Sequence, residues 1–218
     1  MAAYTASYTS HFLGLAKFAM PIQSALNMSQ PCVLAPVILF GVIFGLTGRF
    51  FAVSLKYAKE KMSHFFRNPY ARIGLVSIPL AIILTLLYQG RYSGLGTNLI
   101  AAAFEGQTIF AYDWLLKILL TILTLSIGFQ GGEVTPLFSI GASLGVIVGK
   151  VFGLPPEVCA ALGYAAVFGS ATNTLIAPVL IGLEVFGTDN AVVLVLVCTV
   201  AYLVNGNRSI YTAQQLEC

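Results

Sequence analysis

Apolar residues run along this chain in many blocks that are too short and too broken for a row of clean spans of about 20 residues. Residues 4–20 form a moderately apolar segment closed by Pro21, with Thr5, Ser7, Thr9, Ser10 and His11 suited to packing against other helices. A Pro/Ser/Asn/Gln connector covers 21–31, and 32–55 is the first convincing span, with Gly41, Gly45 and Gly48 as a small-residue stripe on one face. Residues 73–88 form an apolar run containing Pro79. The stretch Tyr88–Asn98, with Gly90, Gly94 and Gly96, then predicts a re-entrant turn, followed by a short helix from Leu99 to Phe104. Trp114 to Phe129 is apolar again, opening on an aromatic that suits a membrane interface. Further helices are predicted from Pro136 to about Leu154, from Pro155-Pro156 to Ser170, from Leu175 to Phe186, and from Ala191 to Val204. The last reaches about 21 Å as a helix, against a hydrocarbon core of about 30 Å. The prediction is an all-α integral membrane protein built from short, broken and tilted transmembrane helices, the pattern by which ions are bound away from water.

Composition agrees. Of 218 residues, 58% are hydrophobic and 9% charged, where soluble domains carry about a quarter charged residues. Arg49, Lys56, Lys59, Lys61, Arg67 and Arg72, offset only by Glu60, read as a short basic loop and mark that side as cytoplasmic. The net charge of +3 gives no support to a nucleic-acid partner. Cys32, Cys159, Cys198 and Cys218 form no C-x-x-C pair, His11 and His64 are far apart, and neither a metal nor any other cofactor is implied.

Chemistry concentrates in Gly131-Gly132-Glu133-Val134-Thr135-Pro136-Leu137-Phe138, which interrupts the apolar pattern. Thr135 reads as an N-cap and Pro136 as the first helical residue, with Gly131, Gly132 and Phe138 supporting the helix start. A helix N-terminus presents unpaired N–H groups and a positive dipole end, which suits an anion; the alternative is a tight turn between spans. Glu133 must then point away, find a partner, be protonated, or act in gating or proton coupling. Asn207-Arg208-Ser209-Ile210-Tyr211-Thr212 offers a tyrosine hydroxyl as one donor, although an interfacial tyrosine is ordinarily an anchor. Ser170-Ala171-Thr172-Asn173-Thr174 reads as a cap for the following helix, and Glu184 as structural or interfacial. An intramembrane enzyme using Glu133 lacks a partner His, Asp or Ser-Lys pair, so no enzyme is expected.

Gly-Gly-Glu-Val-Thr-Pro-Leu-Phe, followed by Ser139-Ile140-Gly141-Ala142-Ser143-Leu144-Gly145, resembles the anion-binding helix start of the chloride-channel (CLC) family. The family's pattern there is Gly-x-Phe-x-Pro, and the Glu-Val-Thr-Pro form looks like its fluoride-transporting bacterial branch; Val134 stands where Phe is common. Ala-Thr-Asn-Thr with Pro178, Gly-Leu-Glu-Val-Phe-Gly, and Arg208-Ser209-Ile210-Tyr211 are similar to the succeeding helices. The resemblance runs from about His11 to Tyr211 and implies the second half of an inverted-repeat fold plus the helix before it. Residues 1–212 are then a partial transmembrane domain and 213–218 a short polar tail. The Gly-Arg/Lys-Glu-Gly gating motif of the first half does not occur.

By that resemblance the amides of Glu133 and Val134 coordinate the anion. Thr135 and Glu133 match side chains of the fluoride branch, and Tyr211 is the inner hydroxyl donor. The implied function is fluoride or chloride transport, exchanged for protons, in a multi-pass protein of the cell inner or plasma membrane. It implies a homodimer or a complementing N-terminal half as partner. The competing expectation is a non-transporting remnant or subunit that packs with another membrane protein.

Overall fold

The computed structural model describes residues 2–15, 19–22, 24–26, 31–211 and 214. These form nine α-helices and one 3-10 turn, with no strand among the described residues. They are α1 (Ala2–Phe12), α2 (Pro31–Phe65), α3 (Pro69–Leu86), α4 (Thr97–Phe104), α5 (Asp113–Ser126), α6 (Val134–Phe152), α7 (Pro156–Thr172), α8 (Ile176–Phe186) and α9 (Ala191–Asn205). Three of them, α2 from Val33, α3 and α6, are long and apolar enough to cross a membrane; α8 and α9 are shorter apolar helices.

The centre is α7. Every residue from Val158 to Thr172 is buried, as expected of a helix that is apolar all round. It meets α6 without intervening side chains. A Cβ on Gly141 would overlap the Gly163 carbonyl, and one on Gly145 would overlap that of Cys159. On the other side α2 closes against α9 and α7, as the glycine stripe predicts. Added methyls at Gly41, Gly45 and Gly48 would meet Val200, Ala201 and Ser170 at 2.6–2.9 Å. Ser170 Oγ also donates to the Gly45 carbonyl at 2.7 Å. Small residues allow this approach, and dispersion between the backbones replaces a hydrophobic drive that lipid does not supply.

Two helices differ from expectation. The first segment ends as a helix at Phe12, not near Pro21, and Ala16–Phe18 lie outside the described residues. Beyond them the backbone N–H groups of Met20 and Ile22 donate to the carbonyls of Val185 and Phe186 at the end of α8. The larger difference is α2, which runs straight through the expected basic loop to Phe65. Lys, Ala, Glu and Met are good helix formers, and nothing from Lys56 to Phe65 breaks the pattern. At 1.5 Å per residue its 35 residues span about 52 Å, well beyond a hydrocarbon core of about 30 Å. Arg49, Lys56, Lys59 and Lys61 therefore sit on a helix that leaves the membrane, while Arg67 lies in the turn after it and Arg72 in α3. The reversal comes at 66–68, where Asn68 accepts from the Tyr70 N–H at 3.0 Å and Pro69 opens α3.

Candidate functional site

The break before α6 is a true helix start, two residues earlier than its chemistry suggests. Glu133 occupies the N-cap position without a side-chain cap, so Thr135 is inside the helix and Pro136 is its third residue. The first closing bond is the Leu137 N–H to the Glu133 carbonyl at 3.3 Å. Pro136 has no N–H, and those of Glu133, Val134 and Thr135 donate to no described residue. The Thr135 hydroxyl likewise has no partner among them. Three convergent N–H groups and one hydroxyl at the positive end of a 19-residue helix can receive an anion or a strong acceptor.

Glu133 does not oppose this. Its carboxylate takes Lys59 Nζ of α2 at 2.7 Å, with the lysine side chain 45% exposed and the carboxylate 18%. The local charge is thus balanced from a helix distant in sequence. Gly131 and Gly132 have neither a left-handed backbone nor a crowded Cβ position; the nearest atoms are Leu125 Cδ2 at 3.7 Å and Leu95 Cδ2 at 4.0 Å. With Pro136 they line a cavity of about 220 Å³, whose other walls are the 92–95 loop and α5. Phe138 points elsewhere: its ring stacks on Tyr164, centroids 4.0 Å apart, and leans on Phe168. Its part is to seat α6 on α7.

Tyr211 is not brought to this cavity. It is half exposed and lines another, of about 300 Å³, with Lys56, Tyr57, Glu60, Asn173 and Arg208. Residues 206–211 are not helical, although they resemble the opening of a last helix; Thr212 and Ala213 lie outside the described residues. The segment instead caps the end of α7. Ile210 N–H donates to the Ala171 carbonyl (2.9 Å), Ser209 Oγ to Thr172 (3.2 Å) and Gln214 Nε2 to Asn173 (3.3 Å). Asn173, left-handed at φ 53°, is the C-cap of α7, so Ala171–Thr174 terminates one helix and does not cap α8. Buried Asn205 completes the clasp through Asn173 Oδ1 and the Arg208 carbonyl.

Sequence reasoning missed a buried polar group under the first cavity. Asp113, fully buried, accepts from Arg91 (2.8 Å), the Tyr92 hydroxyl (2.6 Å) and the Phe110 N–H (3.0 Å). One turn along α5, Lys117 is 1% exposed and donates to the carbonyls of Tyr92 (2.9 Å) and Gly94 (2.8 Å). Burial, then the Asp113 contact, pushes the Tyr92 phenol well above its ordinary value. This network holds the re-entrant turn against α5. The available signal was Asp113 and Lys117 at i and i+4, the two charged residues of an otherwise uncharged helix.

Comparison with known proteins bears on what this arrangement serves. The family model of the voltage gated chloride channel matches residues 1–206. The chain belongs to that family. A chloride/fluoride channel protein of Pseudomonas syringae pv. tomato is 35% identical over 186 residues, which is 83% of this chain and 41% of the relative. An uncharacterized protein of Methanocaldococcus jannaschii is 31% identical over 139 residues, 61% of this chain and 35% of its own. The crystal structure of a CLC-type fluoride/proton antiporter superimposes at TM-score 0.93 and 54% identity, over 97% of this chain and 53% of that one. A eukaryotic CLC transporter at 22% identity and TM-score 0.62, over 85% of this chain and 35% of its own, shares the fold. This member of the voltage gated chloride channel family is thus a multi-pass membrane protein with the all-α CLC fold. The chain spans about two fifths to one half of the length of the first relatives in each comparison.

Proposed function

We propose that this chain supplies an anion-binding half of a halide transporter that moves fluoride or chloride in exchange for protons. In this reading residues 1–212 form a partial transmembrane domain, with 213–218 a short polar tail. The observation that carries it is the start of α6: N–H groups at 133–135 without acceptors, beside a carboxylate already paired with Lys59. An anion leaving water needs fixed dipoles more than a full positive charge, which would trap it. The amides of Glu133 and Val134 and the Thr135 hydroxyl supply those dipoles. Tyr211 supplies a hydroxyl from the second cavity, and Gly131, Gly132, Pro136 and Phe138 shape and seat the helix start. The relatives' descriptions, a chloride/fluoride channel and a fluoride/proton antiporter, support the halide and the proton. The protein sits in the cell inner or plasma membrane, as a homodimer or with a complementing half.

Halide flux into liposomes tests the reading. A hydrogen bond to a charged group contributes about 1.5–3 kcal/mol. Thr135→Ala and Tyr211→Phe are therefore each expected to weaken halide binding about 10- to 100-fold, or to change the fluoride-to-chloride ratio. Unchanged flux and selectivity in both variants would count against the site.

A second reading, a non-transporting subunit packed against another membrane protein, is favoured by α3. Of its residues only Leu80 is buried, and Leu75, Ile78 and Leu86 are 65–78% exposed. Absence of halide flux, with co-purification of a membrane partner that protects α3, would select it.

A further inference from the structure

We infer that the groove between the C-terminal end of α2 and the end of α5 binds one phospholipid with an anionic headgroup. The groove measures about 630 Å³, within the range of small-molecule sites. Tyr57, Met62, Phe65 and Phe66, from α2 and the turn after it, face Leu119 and Leu123 of α5 across it. Ser126 also lines it, but its hydroxyl donates to the Leu123 carbonyl at 2.9 Å, so the floor is apolar in effect.

Depth sets the class of occupant. Val33 to Leu55 covers about 34 Å as a helix, enough for a hydrocarbon core of about 30 Å. Residues 57–66 therefore begin at the headgroup boundary, on the side that the basic residues mark as cytoplasmic. Two large rings stand open there, Tyr57 at 62% and Phe65 at 78% exposure. An acyl chain laid in the groove covers apolar surface that water would otherwise wet.

Charge selects the headgroup. Lys61 lines the groove, with its Nζ 5.6 Å from the centre of the Tyr57 ring. Arg67 directly follows Phe66, and Arg72 donates from Nε to the Ile127 carbonyl at 2.8 Å, one residue past Ser126. None of the three makes an ion pair among the described residues, and no carboxylate lines the groove. Glu60 lines the cavity beside Tyr211 instead, and Glu133 is held by Lys59. Basic residues at the cytoplasmic end of a span attract anionic lipid, and a zwitterionic headgroup gains far less from them. A protein segment would also cover the rings, but the three cations give it no advantage over lipid.

The test places one indole at the groove. Trp114 is the only tryptophan of the chain, so Trp114→Phe with Phe65→Trp reports from the groove alone. The purified chain is reconstituted in phosphatidylcholine liposomes containing rising fractions of brominated phosphatidylglycerol or brominated phosphatidylcholine. Quenching should show a preference for the anionic lipid of about a hundredfold, about fivefold per cation. Lys61→Gln and Arg67→Gln should each lower that preference about fivefold, and together about 25-fold. The preference should shrink near 1 M salt, where the Debye length is about 3 Å. Ala58→Phe, which fills the groove and leaves every charge in place, should abolish it; Leu119→Phe, at a half-exposed wall, does the same if Ala58→Phe does not fold. A preference that survives both fillings would be diffuse surface attraction and would overturn the site. Equal quenching by the two lipids would also overturn it, as would no quenching by either, the result expected if protein covers the groove. Halide flux does not enter the measurement, so its outcome is independent of the transport reading.

Discussion

Lys59 and Glu133 stand 74 positions apart in the chain, and their 2.7 Å contact changes what the helix start can accept. In the proposed reading a carboxylate would otherwise face the incoming anion; with the contact the first turn carries N–H dipoles and little net charge. Exposed pairs contribute about 0.2–1 kcal/mol. Lys59→Met should therefore weaken halide binding about two- to fivefold in isothermal titration, and Lys59→Arg should restore it. Equal affinity in all three proteins would separate the pair from the site. The glycines give a contrast at the same scale. A Cβ on Gly131 would meet only an ordinary contact, Leu125 Cδ2 at 3.7 Å, and the backbone is not left-handed, so Gly131→Ala should leave thermal stability within about 1 kcal/mol. Gly141 faces the Gly163 carbonyl, and Gly141→Val should cost about 3 kcal/mol or more, or prevent recovery of monodisperse protein in detergent.

Among the elements, helix positions were legible wherever apolar runs had clear terminators. Pro156, Gly187 and Gly206 bound α7, α8 and α9 close to where Pro and Gly place them. The larger of the two exceptions, α1 and α2, is α2, because a run of basic residues marks topology equally well on a loop or on a helix that has left the membrane. The re-entrant stretch between α3 and α4 was legible as a break, from its glycines. What holds it was not, since Arg91 and Tyr92 meet Asp113 only through the fold. Removing one member of a buried pair strands the other. Asp113→Ala should thus lower unfolding stability in detergent by about 3 kcal/mol, and Asp113→Asn, which keeps one acceptor oxygen, for Phe110 or for Tyr92 but not for both, by less. Equal stability of both variants and the parent would remove the network's structural role.

The whole molecule sorts its helices by environment. Wrapped by α2, α6, α8 and α9, α7 is buried throughout, whereas α3 presents nearly all of its length outward. In a bilayer this places the polar end of α2 in water and the α3 face in lipid or against a partner. In a chain whose native cysteines are replaced by serine, Lys61→Cys and Arg67→Cys should react with a membrane-impermeant maleimide from the cytoplasmic side. Ile82→Cys should react only with a lipid-soluble reagent. Labelling of Ile82→Cys by the impermeant reagent would contradict this placement.

The sequence by itself determined the membrane class, most helix positions, the glycine stripe and the helix start at Gly131–Phe138. Each depends on local order: apolar period, turn residues, and an N-terminus whose N–H groups no preceding residue can satisfy. Only the tertiary structure decided that Lys59 neutralises Glu133, that Asp113 and Lys117 hold the re-entrant turn, and that Tyr211 lies in a cavity of its own. Those are relations between charges and hydroxyls on separate helices. A linear pattern records which face of a helix is apolar, but not which distant side chain will come within hydrogen-bonding reach of it.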